Sequence, residues 1–360
     1  MNKKPSILFL CAGRPDYPSN AVSIRTLQKN FPTKILVSHL TSYYTRTLSV
    51  ALRLPFYMRA ADICYVGWMG QQLVPLIRLF SKKPIIFDSA PSLYDSFIDR
   101  GYARKESMLA KVLFWFDQFA YRQSHAIIMG DSGTIDDFSA MFDIPREKFR
   151  RFPICANNEI FYPRPAGKKA PDKFIVEFVG EMAPQHGAEH IMQAAKHLEG
   201  TGIVFRIAGT GQCLEEVNRI YKETQPTNVT FVPHRISQEQ LLQWRSEADL
   251  CLGLFGDTPK ARRSLSNKLY EALAMGKAFL TAGPPEAHGV ARHFTDGMEL
   301  FWTSIANPKA IAEKILWIRD HAAERMRVGQ QGYEAYTMLC SEEHIEKRIV
   351  DLVNETINLS

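Results

Sequence analysis

The chain alternates two kinds of apolar pattern. Short continuous runs, four to eight residues long, are bounded by glycine, proline or polar residues. In the first half these are SILFLCAG (6–13), TKILVSHL (33–40), DICYVGW (62–68), KPIIFDS (83–89) and HAIIMGDS (125–132). In the second they are FIVEFVG (174–180), IVFRIAGTG (203–211), VTFVPH (229–234), DLCLGLF (249–255) and AFLTA (278–282). Runs this short and this apolar predict strands buried on both faces of a parallel sheet. Between them, apolar residues recur every three or four positions and predict helices. One helix is expected near Asn20 to Asn30, one over 42–61, and one over 102–121 carrying Leu109, Val112, Leu113, Phe116 and Phe119. Another is expected over 188–198 with Ile191, Ala194, Ala195 and Leu198 on one face. Asp131 and Ser132 would cap the helix after the fifth run, and Asn307 with Pro308 would open one that buries Ile311, Ile315 and Ile318. The last helix, about 341–354, has a buried face at Ile345, Ile349, Leu352 and Val353.

Strands alternating with helices predict doubly wound parallel sheets. A length of 360 residues fits two such domains better than one. A stretch poor in large apolar groups, RPAGKKAPDK (164–173), is the expected linker, giving domains at 1–165 and 166–337 with a terminal helical segment at 338–360. At 46% hydrophobic residues each half can bury a core. No window approaches the roughly 18 apolar residues of a membrane span. The opening MNKKPSILFLCAG reads as a first strand rather than a signal peptide. The six cysteines (11, 64, 155, 213, 251, 340) show no paired spacing and predict buried thiols in a reducing cytoplasm, and His and Cys spacing suggests no metal site.

The net charge of +6 is uneven: residues 1–165 hold 22 basic and 13 acidic residues, whereas 166–360 hold 22 and 25. A basic first half implies an anionic partner: a lipid phosphate, a membrane surface or nucleic acid. Nucleic acid is set aside, because the basic residues are scattered and no nucleic-acid module is present. The 42–61 segment interleaves Tyr43, Tyr44, Leu48, Leu52, Phe56 and Tyr57 with Arg46, Arg53 and Arg59. Such a segment suits peripheral contact at a membrane surface, or equally a helix facing another domain with snorkelling arginines.

The densest chemistry lies between Leu252 and Gly283. After the strand DLCLGLF comes a loop with Asp257, Lys260, Arg262 and Arg263. Ser266 or Asn267 then caps a helix starting at Lys268 or Leu269 and ending at Gly276. Strand, basic loop and helix N-terminus together suit a phosphate: first-turn N–H groups point outward, and the helix dipole favours an anion. Arg262, Arg263 and Lys268 would add charge-assisted bonds. Glu271, one turn on, would repel phosphate but accept hydrogen bonds from two neighbouring hydroxyls of a ribose. Residue types alone also fit a solvated loop with a Lys268–Glu271 pair.

The words NKLYEALAMGKAFLTAG resemble the signature region of family 4 glycosyltransferases with the GT-B fold, especially a subgroup carrying Phe-Gly-Asp-Thr, a basic cluster, Asn-Lys and Glu-Ala-Leu-Ala-Met-Gly-Lys. The resemblance implies an α/β fold of two Rossmann-like doubly wound domains facing a central cleft, with the C-terminal helix packing back on the first. It implies a retaining, metal-independent transfer of a sugar from a nucleotide-sugar donor to a glycan or lipid-linked acceptor, with no cofactor. Glu271 matches the second Glu of the family's Glu-x7-Glu motif. The first falls on Arg263, so the usual donor-sugar contact does not carry over. VGEMAPQHGAEHI matches a donor-diphosphate motif, placing Gly180, His186 and Gly187 at the donor, but Glu181 and His186 replace the usual Arg and Lys. Gly209 and Gly211 of AGTGQ fall near the nucleotide, and VPHRIS (232–237) falls where the family contacts the base. Gly13, after the first strand, would face the diphosphate. REKFRRFPICANNEIFYP resembles the closing strand of the first domain. The family's acceptor-side His aligns with Ala90, so Asp88 is the candidate, with Asp95 and Asp99 as competitors. Lys268 with Arg262 would stabilise the leaving group, and Arg263 and Asn267 would complete the donor site. A nucleotide-sugar 2-epimerase or an inactive GT-B binding protein would share these features.

Overall fold

A computed structural model describes residues 4–89, 91–153, 156–165, 172–283 and 294–358. Ala90 and Cys155 lie outside the described residues. The chain divides into two compact units, Met1–Cys155 with Glu342–Ser360, and Ala156–Ser341.

The first unit runs β1 (Ile7–Leu10), α1 (Pro18–Asn30), β2 (Thr33–Leu36), α2 (Tyr43–Met58), β3 (Ile63–Val66), α3 (Leu73–Phe80), β4 (Ile85–Asp88), α4 (Leu93–Asp99), α5 (Met108–Gln123), β5 (Ala126–Met129), α6 (Ser132–Phe142) and β6 (Phe149–Arg151). The sheet is parallel throughout, in the order β2-β1-β3-β4-β5-β6, with Ile7 level with Thr33 and Ile63. The apolar runs became its strands because every residue of β1, β3, β4 and β5 is covered on both faces. On one face Val50, Leu54, Leu73, Ile77 and Ala120 join Leu8 and Leu10 in one core. On the other, Val22 and Leu27 of α1 meet Ile345, Ile349 and Val353 of the terminal helix, Glu342–Asn358. Arg25–Glu342 (2.6 Å) and Lys29–Glu346 (2.9 Å) fringe that contact.

The α5 helix starts six residues later than expected, at Met108, because the preceding segment holds the short α4 instead. Buried Asp117 of α5 caps α4: its carboxylate accepts from Ser92 Oγ (2.7 Å), Leu93 N (3.2 Å) and Tyr94 N (2.8 Å). Desolvation pushes this carboxyl up to about 7 despite those donors.

The second unit runs β7 (Phe174–Val179), α7 (Ala188–His197), β8 (Ile203–Ala208), α8 (Leu214–Thr224), β9 (Val229–Val232), α9 (Gln238–Glu247), β10 (Leu250–Leu252), α10 (Pro259–Arg263), α11 (Asn267–Ala274), β11 (Phe279–Ala282), β12 (Phe301–Thr303), α12 (Pro308–Asp320) and α13 (Ala322–Cys340). The terminal helix is α14. This sheet is also parallel, in the order β12-β11-β10-β7-β8-β9. Counted within the unit that is 6-5-4-1-2-3, the Rossmann arrangement, and its strand order reverses between β7 and β10. Asn307 caps α12 through Ala310 N (3.1 Å), as its position predicted. Gly276, at φ 68°, follows α11 in the left-handed conformation of a C-terminal stop.

Candidate functional site

In an open parallel sheet, ligands sit beyond the carboxyl ends of the strands where the order reverses. In the second unit that point lies between Gly180, after β7, and Gly253, after β10. The loops there are zipped together by the backbone: Phe255 N donates to His186 O (3.1 Å) and Gly256 N to Gln185 O (3.2 Å).

Lys268, in the first turn of α11, enters this point. A Cβ on Gly180 would lie 2.6 Å from Lys268 Nζ, so glycine is what lets the ammonium pass the strand end. Nζ lies 3.3 Å from His186 Nε2 and 5.1 Å from the centre of the Phe178 ring. Only 8% of Lys268 is exposed. Burial, partly offset by Glu271, lowers its pKa to about 8. His186 Nδ1 faces the Glu181 carbonyl, so the network assigns the ring hydrogen to Nδ1 and leaves Nε2 to accept from Lys268. His186, expected at the donor, has both ring nitrogens directed at protein groups, and the ring aims the lysine.

Glu271, one turn after Lys268, is 22% exposed in its side chain and pairs with Arg245 Nη1 of α9 (2.6 Å). Arg245 is 1% exposed, and its Nη2 reaches Glu177 in the middle of β7 (3.2 Å). The result is a buried Glu177–Arg245–Glu271 chain that fixes the carboxylate expected to hold ribose. Neither Glu177 nor Arg245 was among the predicted site residues. A glutamate inside the apolar run FIVEFV was the available signal, because a buried charge demands a partner.

The basic loop is arranged differently from expectation. Arg262 donates to Asp257 and Arg263 is 4% exposed, both in the short α10, which packs against the 184–186 turn. Ser266 holds the N-cap position of α11, with Asn267 its first residue, but the Ser266 side chain makes no cap bond. Gly187 (φ 60°) fits closely on Gly256 N. A Cβ on Gly209 would meet Gly180 O at 1.8 Å, and one on Gly211 would meet Met182 N at 2.8 Å, so these glycines hold the β7 and β8 ends together.

Beside Gly180 opens a pocket of about 390 Å³, within the range of small-ligand sites. Glu181, Thr210, Ile236 and Leu241 line it together with Gly180 and Gly209. It therefore includes Arg235, Ile236 and Ser237 of the 232–237 segment expected at a nucleotide base, and also Phe161, which the sequence did not single out.

Asp88 and Gly13 belong to the first unit. Asp88 is 3% exposed at the end of β4. Gly13 follows β1, where the first sheet reverses its order; a Cβ there would strike Trp68 Cε3 at 2.3 Å, and Trp68 stacks on Tyr17 at 4.1 Å. Packing against an indole thus accounts for this glycine. The expected acceptor-side position, Ala90, lies outside the described residues.

These features match known proteins in two ways. Residues 173–321 match the family model for glycosyl transferases group 1. Solved structures match along the whole chain at low identity. Sucrose-phosphate synthase of Thermosynechococcus elongatus superposes with a TM-score of 0.74 at 15% identity, covering 99% of this chain and 100% of that one. Anabaena HepE in complex with UDP and glucose gives 0.72 at 12%, covering 98% and 100%. A glycosyltransferase of Rickettsia africae gives 0.71 at 12%, covering 100% of both. No curated protein sequence matches. The chain has the fold of the GT-B glycosyltransferases: two parallel six-stranded sheets with flanking helices.

Proposed function

We propose that this protein is a glycosyltransferase that moves a sugar from a nucleotide-sugar donor to a glycan or lipid-linked acceptor. The observation that carries the reading is the buried Lys268 ammonium, set against Gly180 at the reversal of the second sheet. A cation already stripped of water, at a helix start whose N-cap side chain makes no cap bond, gains most from a polyanion such as a diphosphate. In this reading the bond from the anomeric carbon to the diphosphate breaks as the acceptor oxygen bonds to that carbon. Lys268 and the α11 amides hold the charge that develops on the leaving phosphate. His186 positions Lys268, and Arg245 positions Glu271 for the ribose hydroxyls. Arg262, Arg263 and Asn267 border the phosphates, the pocket beside Gly180 takes the base, and Asp88 faces the acceptor. Retention at the anomeric carbon and independence of metal follow from the family 4 resemblance, as does a place in polysaccharide synthesis on the cytoplasmic side of a membrane. The basic first unit makes peripheral membrane contact. UDP is the first nucleotide to test, since HepE was crystallised with UDP and with UDP-glucose.

The test is thermal unfolding of the purified protein with a panel of nucleotides and nucleotide sugars. A ligand at 100 times its dissociation constant stabilises by about 2.7 kcal/mol. A rise in Tm with one nucleoside diphosphate and its sugar, followed by acceptor-dependent release of that diphosphate, is the expected result. No rise with any nucleotide overturns the donor site. A rise without turnover on any glycan or lipid-linked acceptor would favour the binding-protein reading.

A further inference from the structure

Helix α2 is apolar on two opposite faces. Val50, Leu54 and Met58 are buried on the first sheet. Facing away from them, Tyr44, Leu48, Leu52 and Phe56 are 80%, 59%, 68% and 80% exposed. Spaced four apart, these four fall within an arc of about 120° at 100° per residue, so they form one stripe along the whole helix. An ordinary surface helix turns polar side chains outward, and this one does not.

The stripe continues on its neighbours. Within this unit α3 packs beside α2, and α5 beside α3, all over the same core. Leu79 at the end of α3 is 75% exposed, and on α5 Met108 and Trp115 are 75% and 49% exposed. An apolar surface running over three helices is larger than the scattered exposed residues of a typical soluble surface.

The charge on the stretch that carries α2 and α3 is largely basic. Residues 40–87 hold six basic residues and one acidic one, Asp62. Asp62 is turned to the Ser6 amide and hydroxyl (both 2.8 Å), and the one acid of α5, Asp117, is buried beneath α4. Arg59, Lys82 and Lys111 are exposed around the stripe. Exposed aromatic and aliphatic side chains rimmed by cations match the interior and the headgroups of an anionic bilayer, whereas a protein partner of ordinary composition would meet unpaired basic groups.

We propose that the outer face of α2, continued by α3 and α5, seats on an anionic lipid bilayer. Tyr44, Leu48, Leu52 and Phe56 enter the acyl boundary, while Arg59, Lys82 and Lys111 pair with lipid phosphates. Among the described residues no helix is long and apolar enough to cross a membrane, so α2 lies in the interface plane. The proposal rests on the membrane-contact part of the function above and not on the donor site.

The test is co-sedimentation of the full chain with vesicles of equal parts phosphatidylglycerol and phosphatidylcholine, against vesicles of phosphatidylcholine alone. The wild type is expected to sediment with the anionic vesicles at low salt and to be released as salt screens the headgroups. The pair Leu52→Ser and Phe56→Ser should weaken sedimentation by about tenfold or more. Arg59→Glu with Lys82→Glu should weaken it by about tenfold on anionic vesicles. Both variants should keep the wild-type Tm and any Tm rise with UDP. Loss of the UDP effect in the wild type would therefore count against the donor site and leave the vesicle result standing. Three results overturn the proposal: wild type remaining in the supernatant with anionic vesicles, sedimentation untouched by the Leu52/Phe56 pair, or a dimer in sedimentation velocity that the same pair dissociates. The last would assign the face to a second copy of the chain.

Discussion

The two units place polar and apolar residues in opposite ways on the same framework of six parallel strands. Where the second sheet reverses its order, charge is drawn inside: Lys268 enters between His186 and Phe178, and Arg245 joins Glu177 to Glu271 beneath it. Where the first sheet reverses, between β1 and β3, Trp68 fills the space against Gly13 and stacks on Tyr17. The outer surfaces differ in the converse sense, since α2 carries apolar side chains into solvent. Strand count therefore does not assign chemistry. What assigns it is the choice of side chain at the reversal point and on the outer helix faces.

The comparison can be broken most sharply at Arg245. Arg245→Leu removes the ion-pair partner of buried Glu177, and urea unfolding should show a loss of about 3–5 kcal/mol. Adding Glu177→Leu should restore much of it. If the single variant costs nothing, charge is not structurally committed in the second unit. The first unit offers a matched measurement. Asp117→Ala removes the acceptor shared by Ser92, Leu93 and Tyr94 and should cost about 2–3 kcal/mol.

Lys268→Met tests function rather than folding. Affinity for a nucleoside diphosphate, measured by calorimetry, should fall by about 1.5–3 kcal/mol, the range for a hydrogen bond to a charged group. Affinity for the bare nucleoside should hardly move. The pH dependence follows from a pKa lowered to about 8. As pH rises through about 8 the folded protein loses the ammonium, so diphosphate affinity should decline there in the wild type and not in Lys268→Met. Stability should move the other way. Between about 8 and about 10.4 the unfolded chain still binds the proton that the folded chain has released, so unfolding free energy rises with pH over that window. A flat difference between wild type and Lys268→Met from neutral pH to above 10 would sink this account of the lysine.

The smallest expected effect lies on the outer face of α2. Leu52→Ser with Phe56→Ser should change unfolding free energy by only about 0.5 kcal/mol per site, because both side chains already face water. A large loss would mean that the stripe packs against protein, which would remove the contrast drawn between the units.

Much of this architecture was legible in the order of residues. Short apolar runs located ten of the twelve strands, because a strand covered on both faces must be apolar at every position; β6, Phe-Arg-Arg, was placed only by the resemblance of REKFRRFPICANNEIFYP to a closing strand. Gly276, Asn307 and Pro308 marked helix ends through local backbone chemistry. Several elements escaped, among them α3, α4, α10, β12 and α13. The three residues of β12 are too few to form a pattern. Helix α13 contains Gly329 and Gly332, where a Cβ would meet Gly276 O at 2.9 Å and Glu299 O at 2.6 Å, so close approach replaces the apolar stripe that periodicity would detect.

Sequence by itself determined the strand–helix alternation, the uneven charge and the basic cluster ahead of a helix start, since all of these are read along the chain. Tertiary structure alone decided which groups meet. Arg245 lies 68 residues from Glu177 and 26 from Glu271, on a helix whose sequence is polar without a clear face. The lowered pKa of Lys268 and the fixed ring of His186 likewise depend on burial by β7 and its following turn, 82 residues away in the chain. Desolvation and pairing are properties of a place in the folded protein, and a residue's neighbours in sequence do not specify that place.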